Sequence, residues 1–415
     1  MLPMVLFYNL SIRVYSGLVT IFSTFNEKAK LFRAGRKDLF LRLENALKNE
    51  TRDRVWFHFA SLGEFEQGRP VLEKLKEDKP HLAIVMTFFS PSGYEVRKNY
   101  TGADYIFYLP LDTKGNAVRF LDIVKPKEAF FTKYEYWYHY FVALKQRNIP
   151  LYMISAIFRP DQIFFKWYGA FNRNMLRCVS HFFVQNKESG ELLTQIGFTN
   201  WTISGDTRFD RVYENSLQPK KIELIESFIG NKKVLIAGST WPEDETLLNK
   251  LSATLNDDWK LILAPHEVDK SHVDNIMNNL GNNAIRFSEL KENPSNTAGK
   301  IVVIDNIGML TSLYQYGTIS YIGGGFSKSG IHNTLEPAAF SLPVIFGPNY
   351  KKFMEAGELI KAGGGFPIAN FDELNFIFSA LSQNPEKLAD AALASGNYVK
   401  QNINATSIIF NELDQ

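Results

Sequence analysis

Cysteine is nearly absent from this sequence: Cys178 is the only one in 415 residues. A single thiol excludes an internal disulfide framework and fits a reducing compartment. Histidine is sparse too, and none of the 7 pairs with a cysteine or another histidine at zinc-ligand spacing. No structural metal is expected. Excess charge of either sign is also missing. With 46 Lys and Arg against 44 Asp and Glu the formal net charge is +2, so no overall field points to nucleic acid, and any basic partner surface has to be local. The chain has no low-complexity tract, no solenoid period and no Asp-x-Asp triad of the kind that chelates a metal-bound sugar nucleotide. It does have apolar residues in quantity. A hydrophobic fraction of 45% with Phe 34 and Tyr 18 allows full cores, and the length suffices for two domains.

Short apolar runs alternate with helical stretches through most of the chain. Val55 to Ala60, Leu82 to Phe89, Tyr105 to Leu109, Glu128 to Thr132, Leu151 to Ala156, His181 to Gln185 and Thr202 to Ser204 read as strands. The alternation restarts at Lys233 to Ala237, Leu261 to Ala264, Ile301 to Ile304, Thr318 to Ile322 and Pro343 to Phe346. Strands spaced by helices imply βαβ units and parallel sheets, with ligands at the carboxyl ends of the strands. The expected fold class is therefore α/β, with two Rossmann-like doubly wound domains facing a cleft. Gly205 to Lys221 is polar and reads as the connection between them. The expected bounds are 27–207 and 208–390, with 391–415 helical and crossing back to the first domain.

Residues 1–26 stand apart. Met4 to Phe25 is apolar and aromatic and, at 1.5 Å per residue, long enough to cross a hydrocarbon layer, although Asn9 and Arg13 interrupt it. Lys28, Lys30, Arg33, Arg36 and Lys37 follow. A secretory signal has its basic residues first and ends in small ones, the reverse of this order. The segment reads as a membrane-attachment helix with a cytoplasmic basic flank, either spanning the bilayer or lying in its interface. The other reading is a core helix of the first domain.

Chemistry is sought just after the strands. In Thr318 to Phe353 a strand is followed by the Gly323-Gly324-Gly325 turn and by a helix over Asn333 to Phe340, with Asn333 and Glu336 at capping-box spacing. A glycine turn emptying onto a helix start suits a phosphate, and a tight turn with an ordinary cap has the same pattern. Gly238-Ser239-Thr240, Pro265-His266 and Gly308 lie at other strand ends of the second half. In the first half, Glu64 follows one strand at once and Glu135 another. An acid at a helix start suits the dipole, which lowers its pKa. At a sheet's carboxyl edge a carboxylate can also accept a proton from a sugar hydroxyl, and both readings stand for Glu64. For Glu135, Lys133 or a supporting hydrogen bond competes with a catalytic role. Arg208 brings positive charge to the cleft or is a surface arginine in a linker.

Taken together these residues resemble the Kdo transferases, which pass 3-deoxy-D-manno-octulosonic acid from CMP-Kdo to a lipid A precursor. The likeness rests on FHFASLGEFEQGRPVLEKL, YLPLDTKGNAVRFLDIVKPKEAFFTKYEYW, FFVQNKESGELLTQIGF, ISGDTRFD, GSTWPEDE and GGGFSKSGIHNTLEPAAFSLPVIFGP, in one order over most of the chain. It implies an inverting, metal-independent GT-B enzyme without a cofactor, at the cytoplasmic face of the inner membrane. The implied donor is CMP-Kdo and the implied acceptor a lipid A precursor. Glu64 is then the general base on the acceptor hydroxyl, and Glu135 and Arg208 assist the transition state. Donor contacts fall on Gly238, Ser239, Thr240, Pro265, His266, Ile307, Gly308, Met309, Gly324, Gly325, His332, Asn333, Thr334, Leu335 and Glu336, with Glu336 reaching a ribose hydroxyl. Two departures are visible. Pro265-His266 stands where the family usually has Pro-Arg-His, and Ile307-Gly308-Met309 where it has Met-Gly-Glu. Arg33, Arg36 and Lys37 are placed to meet the acceptor's phosphates. The competing readings are a GT-B enzyme using a UDP-sugar on a lipid-linked acceptor, and a non-catalytic nucleotide-binding relative.

Overall fold

The computed structural model describes residues 2–414. It divides into two compact units: one runs to Asp210 and resumes at Asn404, and the other is Arg211–Ile403. In the first unit β1 (Arg54–Phe59), β2 (Ala83–Phe88), β3 (Tyr105–Tyr108), β4 (Pro126–Thr132), β5 (Leu151–Ala156), β6 (His181–Val184) and β7 (Trp201–Ile203) form a parallel sheet in the order β3-β2-β1-β4-β5-β6-β7. Helices cover both faces, which is why the strands read as continuous apolar runs; every position of β2 is buried. Neighbours along β1 serve opposite sides. Trp56 packs with Phe131 and Met153, whereas Val55, Phe57 and Phe59 pack with Met86 and Phe130. The last helix, Ala405–Leu413, completes the second of these cores with Ile409 and Phe410. Asp210 fixes its start by accepting from Asn404 N at 2.6 Å and Thr406 N at 2.7 Å.

The second unit repeats the plan with β8 (Lys233–Thr240), β9 (Trp259–Pro265), β10 (Ala284–Arg286), β11 (Ile301–Val303), β12 (Ile319–Ile322), β13 (Val344–Phe346) and β14 (Gly365–Pro367), in the order β10-β11-β9-β8-β12-β13-β14. All pairs are parallel. Three expectations need correction. β10 and β14 were not foreseen. The connection between the units does fall within Gly205 to Lys221, at Asp210–Arg211, but much of it is a helix, Arg208–Leu217, that buries Phe209 and Val212. The return to the first unit comes at Asn404; the helix Pro385–Gln401 before it stays with the second unit and buries Ala391 and Val399.

The N-terminal segment forms α1 (Leu2–Phe22), which is long and apolar enough to cross a membrane by length and composition, followed by α2 (Glu27–Ala34). Asn26 caps α2 by accepting from Ala29 N at 3.0 Å. Arg36, just beyond, is not free to hold a phosphate as the basic flank had promised. Its guanidinium donates to Leu109 O at 2.9 Å, Phe89 O at 2.8 Å and Phe32 O at 3.1 Å, and lies 3.5 Å from the centre of the Phe32 ring. Burial lowers its pKa to about 9. Arg36→Ala strands three carbonyl oxygens and should lower stability by about 2–4 kcal/mol in denaturant unfolding. Arg33→Ala, at an exposed position, should stay within about 0.5 kcal/mol.

Candidate functional site

The strand order of the first sheet reverses between β1 and β4, the point at which open α/β sheets bind ligands beyond the carboxyl ends of their strands. Glu64 and Glu135 both lie there. Glu64 occupies the first turn of the helix Leu62–Asp78, where Ser61 Oγ donates to its Oε2 at 2.8 Å. Glu135 follows β4. Trp137 Nε1 donates to its Oε2 at 2.7 Å, and Nε2 of the fully buried His58, on β1, lies 3.4 Å from the same oxygen. His58 is held from behind: its Nδ1 is 2.9 Å from Thr87 Oγ1, to which Trp56 Nε1 donates at 2.8 Å. The supporting hydrogen bond foreseen for Glu135 therefore comes from Trp137. Lys133 and Ser155, at the ends of β4 and β5, adopt φ 61° and 49°. Left-handed backbone at non-glycine residues persists only where the surroundings enforce it, and it gathers at functional sites.

Arg208 joins the same region. Its Nε and Nη2 donate to Oδ2 of buried Asp206 at 2.9 and 2.7 Å, and Gln67 Nε2 donates to that oxygen at 3.1 Å. Gln67 lies three residues from Glu64 on one helix, so both side chains face the same way. Arg208 is thus tied to the helix that carries Glu64 and is no surface arginine of a linker, yet it keeps 24% of its side chain exposed.

The charge state of Glu64 differs from the helix-dipole expectation. A helix start favours an anion by roughly 0.3–1 kcal/mol at a surface. Burial is the larger effect, and the Glu135 carboxylate adds to it. Together they push the Glu64 carboxyl up to about 7, against the opposing pull of the Ser61 hydrogen bond and Lys133. A base with its pKa near neutrality is partly ionised there and accepts a proton effectively. Asp206 behaves in the opposite way. Burial opposes its ionisation, but the Arg208 guanidinium outweighs burial and holds it below the usual carboxylate range.

In the second sheet β8 lies between β9 and β12. The turn after β12 runs so close to the end of β8 that a Cβ at Gly323 would stand 2.3 Å from Ser239 O, so only glycine fits. Gly324 N donates to Asp244 Oδ2 at 2.8 Å, Trp241 N to the same oxygen at 3.0 Å, and Tyr321 OH to Oδ1 at 2.7 Å. Asp244 is fully buried; it pins the glycine turn to the end of β8. Against this turn three rings stack. The His266 and His332 centroids are 4.4 Å apart, those of Trp241 and His266 4.9 Å, and Trp241 Nε1 donates to His332 Nε2 at 3.0 Å. Burial, with His266 beside it, lowers the His332 pKa to about 4, so that imidazole is neutral at pH 7.

Gly238 to Thr240, Pro265 and His266 therefore share one strand edge with Gly324, Gly325 and His332. His266 N donates to Thr240 O at 2.9 Å, and a Cβ at Gly324 would lie 3.0 Å from the His332 ring. Asn333, Thr334, Leu335 and Glu336 form a second group. The helix here spans only Leu335–Ala339, and Asn333 Oδ1 accepts from Leu335 N at 3.0 Å. Glu336 meets the Asn333 side chain at 3.1 Å and the Thr311 hydroxyl at 3.1 Å. Thr311 belongs to the short helix Leu310–Leu313, which links Ile307 to Met309 with this group, although Ile307 itself points outward at 87% exposure.

The family model for 3-deoxy-D-manno-octulosonic-acid transferase matches residues 34–211. A Haemophilus influenzae 3-deoxy-D-manno-octulosonic acid transferase is 30% identical over 311 residues, 72% of each chain. An Aquifex aeolicus protein of the same name is 27% identical over 334 residues, 80% of this chain and 86% of that one. The chain belongs to the Kdo transferase family. Solved structures agree on the fold: a UDP-GlcNAc 2-epimerase from Neisseria meningitidis at TM-score 0.62 and 17% identity, covering 87% of this chain and 99% of its own, and MurG from Acinetobacter baumannii at 0.54 and 11%, covering 88% and 100%. Family membership makes the chain a glycosyltransferase, and its two parallel seven-stranded sheets resemble GT-B-like neighbours in fold.

Several residues that shape this Kdo transferase's candidate sites escaped attention in the sequence. His58, Gln67, Asp206 and Trp241 all stand inside the motifs FHFASLGEFEQ, ISGDTRFD and GSTWPEDE. The signal was present, but the role of each residue depends on a partner tens of residues away. Beside α1 a cavity of about 680 Å³ is lined by Lys30, Arg33 and Lys37, so the basic flank does gather, without Arg36 donating into it.

Proposed function

We propose that the chain transfers Kdo from CMP-Kdo to a lipid A precursor, lipid IVA, in lipopolysaccharide core biosynthesis at the cytoplasmic side of the inner membrane. The reading rests on one feature above the others: at the switch point of the first sheet, burial and the Glu135 carboxylate raise the Glu64 pKa to about 7, and the partly exposed Arg208, paired with buried Asp206, is tied through Gln67 to the helix that carries Glu64. Glu64 takes the proton from the acceptor hydroxyl as that oxygen bonds to the anomeric carbon. The bond from that carbon to the CMP phosphate oxygen breaks, CMP keeps the electron pair, and the configuration inverts. Glu135 and the exposed edge of Arg208 set the field around the developing charge. In the second unit the Gly323–Gly325 turn offers close backbone approach to the phosphate, the stack of Trp241, His266 and His332 a face for the base, and Glu336 an acceptor for a ribose hydroxyl. Arg33 and Lys37 meet acceptor phosphates, and α1 with its basic flank attaches the enzyme to the bilayer.

The test is mass spectrometry of tetraacylated lipid A precursor incubated with purified protein, CMP-Kdo and EDTA. A product heavier by one Kdo is expected, and a second increment would set the number added. No product from folded, CMP-binding protein overturns the donor and acceptor assignment. Loss of the product with EDTA alone overturns metal independence.

A further inference from the structure

We infer that this protein is monotopic: α1 lies in the plane of an anionic leaflet, and the loop around Trp167 and Tyr168 inserts beside it as a second lipid contact. This deepens the membrane attachment proposed above and needs nothing of the donor chemistry. Along α1 the half-buried positions are Val5, Tyr8, Asn9, Ile12, Ser16 and Val19, one helical stripe running most of its length against the folded unit. Polar side chains fasten it there. Tyr8 OH donates to Asp112 Oδ2 at 2.5 Å, Asn9 Oδ1 lies 2.6 Å from His139 Nε2, and the Tyr15 ring packs on Phe32 and Phe89. A helix that spans a bilayer leaves its domain and meets lipid on every side. This one is held side-on to a charged, water-soluble body that cannot follow it into hydrocarbon. Its other stripe, with Phe7, Leu10, Val14, Leu18 and Ile21, is exposed along the same length.

The second element lies next to α1. Tyr8 packs against Phe171 and Tyr138, and Phe171 belongs to the helix Ala170–Leu176 that the loop enters. Trp167 is 90% exposed and Tyr168 55%. The loop holds them out by construction. Phe164 is buried beneath it, Arg173 Nη1 donates to Phe164 O at 2.9 Å and Lys166 O at 2.8 Å, and a Cβ at Gly169 would meet Ile163 O at 1.9 Å. Two aromatic rings kept in water by a fixed turn suit the headgroup boundary, where an apolar body and a polar tip are both satisfied. Lys30, Arg33 and Lys37, gathered beside α1, supply the charge that complements an anionic surface.

The full chain is mixed with vesicles of phosphatidylcholine alone and of phosphatidylcholine with about one third phosphatidylglycerol. Binding is expected to favour the anionic vesicles, and Trp167→Ser to weaken it roughly tenfold, with Kdo transfer to detergent-dispersed acceptor unchanged. Wild-type binding by Trp167→Ser overturns the second contact. In a Cys178→Ser background, Met4→Cys and Thr24→Cys, at opposite ends of the helix region, are then exposed to a membrane-impermeant maleimide added outside preformed vesicles. Labelling of both before detergent is expected for an in-plane helix. Labelling of Met4→Cys only after detergent means that α1 spans, and overturns the proposal. Vesicle binding without Kdo transfer would fault the functional reading and leave the docking mode standing.

Discussion

Glu64→Gln should all but abolish Kdo transfer, with a fall in kcat on the order of 10²–10⁴, and leave CMP binding unchanged. Glutamine keeps the shape, and its amide NH2 or carbonyl can still meet the Ser61 hydroxyl that now lies 2.8 Å away. What it lacks is a lone pair basic enough to take a proton. Loss therefore falls on the chemical step, and the result that sinks the assignment is retained turnover with CMP binding lost. The wild-type rate carries a second signature. A base acts when deprotonated, and burial together with Glu135 puts the Glu64 pKa at about 7, so kcat/KM should rise with pH through a midpoint near 7 and level off above it. Had the helix dipole governed Glu64, the rise would come in the acid range where few enzymes of this kind remain folded. Rates measured across pH 5 to 9 separate the two.

The same shift makes a statement about stability. The carboxyl of Glu64 binds its proton more tightly folded, at about 7, than at its ordinary value of 4.5. A raised folded pKa contributes stability that is fully present below the unfolded value and is lost as pH climbs through the folded one. Glutamine has no such term. Thermal melts should therefore show Glu64→Gln gaining on the wild type between pH 4.5 and 7 and holding that gain at pH 8. The proposed base is thus held at some expense to the fold, as buried functional charges commonly are.

Most of the architecture could be read from the sequence because strands covered by helices on both faces are largely apolar, and twelve of the fourteen announce themselves as such. β10 and β14 did not: Ala284–Arg286 ends in a charge and Gly365–Pro367 holds a glycine and a proline, so neither shows the apolar run of the equally short Ile301–Val303 and Val344–Phe346. That the connection between the units is helical over Arg208–Leu217 was not legible because its apolar residues, Phe209 and Val212, are few among charges; only tertiary contact shows that they form a buried face. At the candidate site, residue identity and position after a strand were enough to select Glu64, Glu135 and the glycine turn. The sign of the Glu64 shift was not readable, because it depends on how deeply the side chain is buried and on a carboxylate from another strand. Arg36 shows the converse. Its charge and company pointed to phosphate, but three backbone carbonyls that converge only in the fold claim its donors.

Asp244 should prove the most sensitive residue of the second unit. Asp244→Ala removes the acceptor for Gly324 N, Trp241 N and Tyr321 OH at once, all within a fully buried setting. Each stranded donor costs about 1–3 kcal/mol, so a loss of about 3 kcal/mol or more is expected in denaturant unfolding. Asp244→Asn, which keeps one acceptor oxygen for the two N–H groups and turns its amide toward the tyrosine hydroxyl, should lose less. The functional effect has the opposite form to that of Glu64→Gln. Gly324 is released from the end of β8 and the ring stack on Trp241 loses its backbone anchor, so KM for CMP-Kdo should rise by about tenfold or more while kcat at saturation falls little. Binding and chemistry then respond to carboxylates in different units, one kept buried to order a turn and one kept near neutrality to take a proton. If Asp244→Asn instead lowers kcat with KM unchanged, the glycine turn does not hold the donor, and the nucleotide site must be sought along the Thr311 and Glu336 flank.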